Sequence, residues 1–223
     1  MYITSEDENN YREMEDIFLK TNTDKSSKFH DYTRTYSKLF KPIKNHSLKF
    51  LEIGICFGDS VKAWEEYFPN AQFHFIDICL TLATYHSSRS KYHLADQKNT
   101  KDLQEFINEV GGDFDIIIDD GDHGNLAQLT SFNALFPCLN KGGIYVIEDI
   151  HWSTKSPSPP STFDFLKSLI DDINAKGFIK YKGTDSCSGG HLNVGLTPNN
   201  FLQDQIDSMI IKNGLAIITR RQF

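Results

Sequence analysis

Two apolar runs that each stop abruptly at acid constrain this chain more than any other feature. Both lie in DFDIIIDDGDHGNLAQLTSFNALFPCLNKGGIYVIEDIH (113–151). Residues 114–118 run into Asp119 and Asp120, with His123 three residues on; residues 144–147 run into Glu148 and Asp149, with His151 just beyond. Apolar runs of this length, broken only by Asp115, predict strands buried on both faces, as in a parallel sheet. The segment between them has helical periodicity, so the unit reads β-α-β. A right-handed crossover puts both strand C-termini on one edge of the sheet, the edge where open α/β sheets bind ligands. Four carboxylates and two imidazoles are expected to converge there.

The chain on either side extends the same alternation. Lys49–Ile53 reads as a buried strand, followed by a glycine-containing turn and a helix over 61–67; LEIGICFGDS places Glu52, Gly54, Gly58 and Ser60 at that junction. Such a turn brings backbone close to a ligand, and the helix N-terminus offers unpaired N–H groups. A second strand, 72–76, ends in Asp77, where a carboxylate can accept both ribose hydroxyls of a nucleoside. A third, 92–94, ends near Asp96 and Gln97, which can face an adenine; Asp96 reads equally well as a helix cap or turn residue. Thr100–Val110 is an amphipathic helix that Gly111-Gly112 stops. After His151 a serine- and proline-rich loop is placed to form the mouth of a site, then a helix covers 163–176, with the glycine-rich SCSGGH (186–191) beyond. Two apolar runs around Lys212-Asn213-Gly214 predict a closing antiparallel hairpin. The expected fold is an α/β, Rossmann-like doubly wound sheet of seven strands, mostly parallel with an antiparallel C-terminal hairpin strand.

That sheet domain is expected over 46–223, behind an N-terminal helical extension or cap over 1–45. In the cap, Tyr32, Tyr36, Leu39 and Phe40 fall at helical spacing and Pro42 ends the helix. The simplest reading of the tyrosines is an aromatic stripe packed on the sheet. Asp24, Lys25 and His30 precede that helix, where polar residues either close over a ligand or form a solvated loop. A net charge of −7 argues against a nucleic-acid partner. The cysteines Cys56, Cys79, Cys138 and Cys187 form no C-x-x-C pair and read as free thiols of a reducing cytoplasm. No apolar run approaches a membrane span, and the acidic N-terminus does not read as a secretory leader.

Five buried strands alternating with helices, then a terminal hairpin, with LEIGICFGDS, Asp77 and DFDIIIDD at the strand ends, resemble the class I S-adenosylmethionine-dependent methyltransferases. TDK with its tyrosines, W-x-x-Y-F-P (residues 64–69), IDDGDH, LFPCLNKGG and YVIEDIH are similar to one subgroup, the metal-dependent sugar O-methyltransferases of the mycinamicin/macrocin and rhamnosyl-tetracenomycin type. The resemblance runs from about Thr23 to the terminal hairpin. It implies that Glu52, Gly54, Gly58 and Ser60 line the methionine and ribose part of S-adenosylmethionine. Asp77 would hold the ribose hydroxyls, and Asp96 and Gln97 would sit by the adenine. Asp24, Lys25 and Asp119 are placed on the cofactor side, Asp119 with a structural role as its alternative. Asp120, Glu148 and Asp149 would bind Mg²⁺ or another hard divalent ion, and His123 would be the general base. The family usually has a small residue where Asp122 stands, so this chain adds a carboxylate near the site. Macrolide-acceptor members often carry an extra N-terminal domain, which leaves the acceptor open and the oligomeric state too, with a homo-oligomer among the alternatives.

The donor set suits that chemistry. Three carboxylates with open positions fit a hard ion, and no cysteine in the cluster weighs against structural zinc. Three crowded acids without a cation would repel one another. The expected activity is divalent-metal-dependent O-methylation of a hydroxyl on a sugar, whether glycan, nucleotide-sugar or glycosylated natural product. A catechol-like acceptor or an amino-sugar nitrogen remains open on the same residues. A NAD-binding oxidoreductase is disfavoured because the glycine spacing is G-x-x-x-G, not G-x-G-x-x-G.

Overall fold

A computed structural model describes residues 4–155, 160–181 and 205–222. Seven strands form one sheet: β1 (Lys49–Ile53), β2 (Gln72–Asp77), β3 (Ser90–Leu94), β4 (Phe114–Asp119), β5 (Leu139–Ile147), β6 (Ile206–Lys212) and β7 (Leu215–Arg220), in the order β3-β2-β1-β4-β5-β7-β6. The first five pair in parallel; β7 runs antiparallel to both β5 and β6. The expected sheet is therefore the one observed, including the hairpin that turns at Asn213-Gly214. That hairpin places β7 between β5 and β6, which departs from the 3-2-1-4-5-6 order of dinucleotide-binding sheets.

Strand alternation divides the core into two layers. Phe50, Phe73, Phe75, Ile116, Ile118, Val146 and Ile217 face one side; Leu51, Ile53, Ile76, Ile117, Tyr145, Ile147 and Ile218 face the other. The second layer is covered by α4 (Thr100–Val110), α5 (Asn125–Leu135) and α6 (Thr162–Tyr181). The first is covered by α3 (Asp59–Tyr67) together with α1 (Ser5–Thr21) and α2 (Thr33–Phe40). Met14, Phe18, Tyr36 and Phe40 lie in the same buried cluster as Phe50, Trp64 and Phe68, so α1 and α2 share their core with the sheet.

Local differences have local causes. α6 continues through Gly177 to Tyr181, so that glycine does not stop the helix. β5 starts earlier than its apolar run, at Leu139, because Leu139 already pairs with Phe114 of β4, ahead of a register shift after which pairing resumes at Ile116 and Ile144. The segment after Glu148-Asp149 opens as a 3₁₀ turn, Ile150–Lys155. SCSGGH and Cys187 fall outside the described residues.

Candidate active site

Every parallel strand delivers a polar residue to the same edge. β1 delivers Glu52 and Gly54, β2 Asp77, β3 Asp96 and Gln97, β4 Asp119 and Asp120, and β5 Glu148 and Asp149. The turns there are tight: Cys56, His123 and Asp149 all take positive φ, of 47°, 61° and 54°. Non-glycine residues adopt this region at a cost and persist in it where surrounding structure holds them. Gly54 shows how little room there is. Its φ is +95°, and a Cβ there would lie 2.1 Å from the carbonyl oxygen of Asp120. Only glycine lets β1 and β4 end this close together.

Two clefts meet at this edge and share Gly54, Cys56 and Asp120. One, of about 240 Å³, is lined by Asp77, Ile78, Asp96 and Gln97. The other, of about 220 Å³, is lined by Asp24, Phe57, Asp59 and Ser60, with Gly58 between two of its lining residues at the start of α3. Asp77 braces the glycine turn, accepting from Ile55 N at 2.7 Å and Cys79 N at 2.9 Å. Asp96 closes a turn onto Lys98 N at 2.9 Å, while Asn99 caps α4. Gln97 is buried; it donates to Asp119 Oδ1 at 2.9 Å and accepts from Asp122 N at 2.7 Å.

Asp119 turns away from both clefts. It accepts hydrogen bonds from Gln97, Ser131 and Tyr145, and burial pushes its pKa up to about 6. All three partners are the protein's own side chains, the arrangement that its structural alternative describes. Asp122, the carboxylate extra to the family pattern, pairs with Lys98 at 3.0 Å and binds Gly124 N.

The metal candidates divide differently from the expected trio. Asp120, His123 and Asp149 each offer a ligand atom, all within 4.8 Å of one another. His123 Nε2 lies 3.7 Å from Asp149 Oδ2, while its buried Nδ1 has no hydrogen-bond partner among the described residues. Glu148 is instead held from the cap: Tyr36 donates to Oε1 and Lys25 donates to Oε2 at 2.9 Å. Lys25 also donates to Asp120 and lies 3.5 Å from Glu52. Its ammonium therefore joins three carboxylates, from the ends of β1, β4 and β5. Burial opposes its charge, but Asp120, Glu148 and Glu52 outweigh burial and raise its pKa well above the usual lysine value. Burial pushes Glu52 up to about 7, with Lys25 opposing; Ser60 and Trp64 donate to its two oxygens. Burial and the neighbouring Asp120 raise Glu148 too. One ammonium facing this many acids leaves room for a further positive charge, and a hard cation held by Asp120 and Asp149, with His123 beside them, fits the cluster.

Tyr32 and Tyr36 are the functional residues that the sequence reading left as packing. Tyr32 donates to Asp149, as Tyr36 does to Glu148. The available signal was their chemistry: a buried tyrosine needs a partner for its hydroxyl, and a phenylalanine would have filled a stripe equally well. His30 and His151 complete the surroundings of Asp149, at 3.9 and 4.0 Å.

Comparison with known proteins places this geometry. No protein-family profile matches the chain. It is 31% identical over 175 residues to an L-olivosyl-oleandolide 3-O-methyltransferase of Streptomyces antibioticus, covering 71% of this chain and 45% of that protein. It is 33% identical over 168 residues to the mycinamicin VI 2''-O-methyltransferase of Micromonospora griseorubida, covering 68% and 41%. The chain is a homologue of the sugar O-methyltransferases. The structure of the MycE methyltransferase of the mycinamycin pathway, in complex with Mg, SAH and mycinamycin VI, superposes with a TM-score of 0.77 at 26% identity, over 93% of this chain and 53% of that one. The resemblance read from IDDGDH and IEDIH thus holds, as does the class I methyltransferase fold. The chain spans less than half the length of these two curated sugar O-methyltransferases. No described helix is long and apolar enough to cross a membrane.

Proposed function

We propose that this chain transfers a methyl group from S-adenosylmethionine to a hydroxyl of a sugar, with a divalent cation such as Mg²⁺ at the acid edge. The observation that carries the proposal is the convergence of Asp120, His123 and Asp149 within 4.8 Å beside the glycine-turn clefts. S-adenosylmethionine supplies an electrophilic methyl that needs no acid catalyst, and the cation supplies the charge that acidifies a sugar hydroxyl. Asp77, Asp96 and Gln97 line the space for the adenosine part, and Asp24 and Ser60 the space toward the methionine part. Asp120 and Asp149 would hold the cation, with Glu148 beside them on β5. His123 takes the hydroxyl proton at Nε2, and Asp149 Oδ2, 3.7 Å away, offsets the charge the imidazole gains. Alignment of the hydroxyl with the methyl supplies much of the remaining acceleration.

The net charge of −7 favours a small acceptor over nucleic acid. The free thiols Cys56, Cys79 and Cys138 fit a cytoplasmic setting. The test is methyl transfer from labelled S-adenosylmethionine to a panel of nucleotide-sugars, glycosides and catechols. Transfer to a sugar hydroxyl that disappears after exhaustive chelation and returns with Mg²⁺ is expected. Activity untouched by chelation would remove the cation from the mechanism, and transfer to catechols alone would reassign the acceptor.

A further inference from the structure

The resemblance put Lys25 on the cofactor side, yet its ammonium is buried among carboxylates of three strands. It donates to Asp120 and to Glu148, at 2.9 Å for the latter, and lies 3.5 Å from Glu52. Asp120 is also one of the two acids proposed to hold the cation, and Glu148 adjoins the other, Asp149. Lys25 and a divalent ion would thus draw on the same carboxylate. A positive charge fixed within a few ångströms of a dication repels it, most strongly where water is excluded. The same ammonium compensates acids that would otherwise be buried unpaired, so it stabilises the metal-free protein.

We propose that Lys25 is an internal counter-cation that shares Asp120 with the metal, sets the site's metal affinity low, and holds the acid edge together when no metal is bound. The inference rests on the metal reading given above. It assigns Lys25 a positioning and affinity-setting role rather than a contact with S-adenosylmethionine.

The test is Mn²⁺ binding by titration calorimetry, with melting curves, on the full chain and on Lys25→Met and Lys25→Arg. Lys25→Met removes the charge and keeps the side-chain volume. It is expected to bind Mn²⁺ at least about tenfold more tightly, about 1.4 kcal/mol, to melt lower without metal, and to gain more melting temperature from Mn²⁺ than the parent does. Lys25→Arg keeps the charge and is expected to bind as the parent does. Should Lys25→Met fail to fold, Lys25→Met/Glu52→Gln removes a lysine and an acid together, and the same tightening is expected of it. A parent that binds Mn²⁺ and a charge-removed variant that binds it equally or more weakly would overturn the role of Lys25 alone. Absence of saturable Mn²⁺ binding in parent and variants would overturn both this inference and the metal reading.

Discussion

His123 occupies its position at a backbone cost, with φ of 61° in a turn bounded by Asp122 and Gly124. In that conformation Nε2 stands 3.7 Å from Asp149 Oδ2. The residue accordingly has a catalytic prediction separable from its structural one. His123→Ala removes the proton acceptor and leaves Asp77, Asp96 and Gln97 in place along the neighbouring cleft. Turnover is expected to fall by roughly 10²–10⁴-fold, the usual worth of a general base, while calorimetric affinity for S-adenosylhomocysteine stays within about twofold. Turnover near the parent's would assign the proton to another group. His123 and the acids were legible because they stand at the ends of apolar strands, where sequence order alone dictates the edge. The hydroxyls of Tyr32 and Tyr36 were not, since spacing reports which face of a helix is apolar and not where a buried polar tip points.

Elements show the same division between pattern and partner. The inner strands were legible from apolar runs because a strand buried on both faces has few polar positions to blur it, whereas the half-exposed edge strands β3 and β6 were legible from the alternation around them and from the Asn-Gly hairpin signal. Helix ends were less so: α6 passes Gly177 because a single glycine costs only about 1 kcal/mol. Cross-strand contacts were not legible at all. Between β2 and β3, His74 Nδ1 and His93 Nε2 lie 3.1 Å apart, with the rings stacked at 5.3 Å. Burial first, then His93, lowers the pKa of His74 from 6.5 to about 4. The unfolded chain therefore takes up the proton before the folded one does. Stability from this pair is complete above about 6.5 and is lost as pH falls toward about 4. His74→Gln keeps hydrogen-bonding capacity and removes the titration. Its melting temperature is expected to decline less steeply than the parent's between those pH values, and an identical decline would mean that His74 is not the group being protonated.

Across the described residues, the cap and the sheet share one packed aromatic layer that ends at the acid edge. Phe18 of α1 meets Trp64 of α3 edge-on at 4.9 Å, and Trp64 in turn touches Tyr36, Phe40 and Phe50. Trp64 Nε1 also donates to Glu52, and Tyr36 donates to Glu148, so the aromatic layer ends on the site itself. The cap thus positions Lys25, Tyr32 and Tyr36 through packing that starts at α1. Phe18→Ala opens a cavity in that layer without touching any acid. It is expected to cost about 3–5 kcal/mol and to shift one cooperative transition seen alike by far-ultraviolet and near-ultraviolet circular dichroism. Mn²⁺ should raise its melting temperature less than it raises the parent's, because the residues that frame Asp149 and Glu148 are then held less firmly. Two separate transitions would instead make residues 1–45 an independent unit, and the link from α1 to the acid edge would have to be given up.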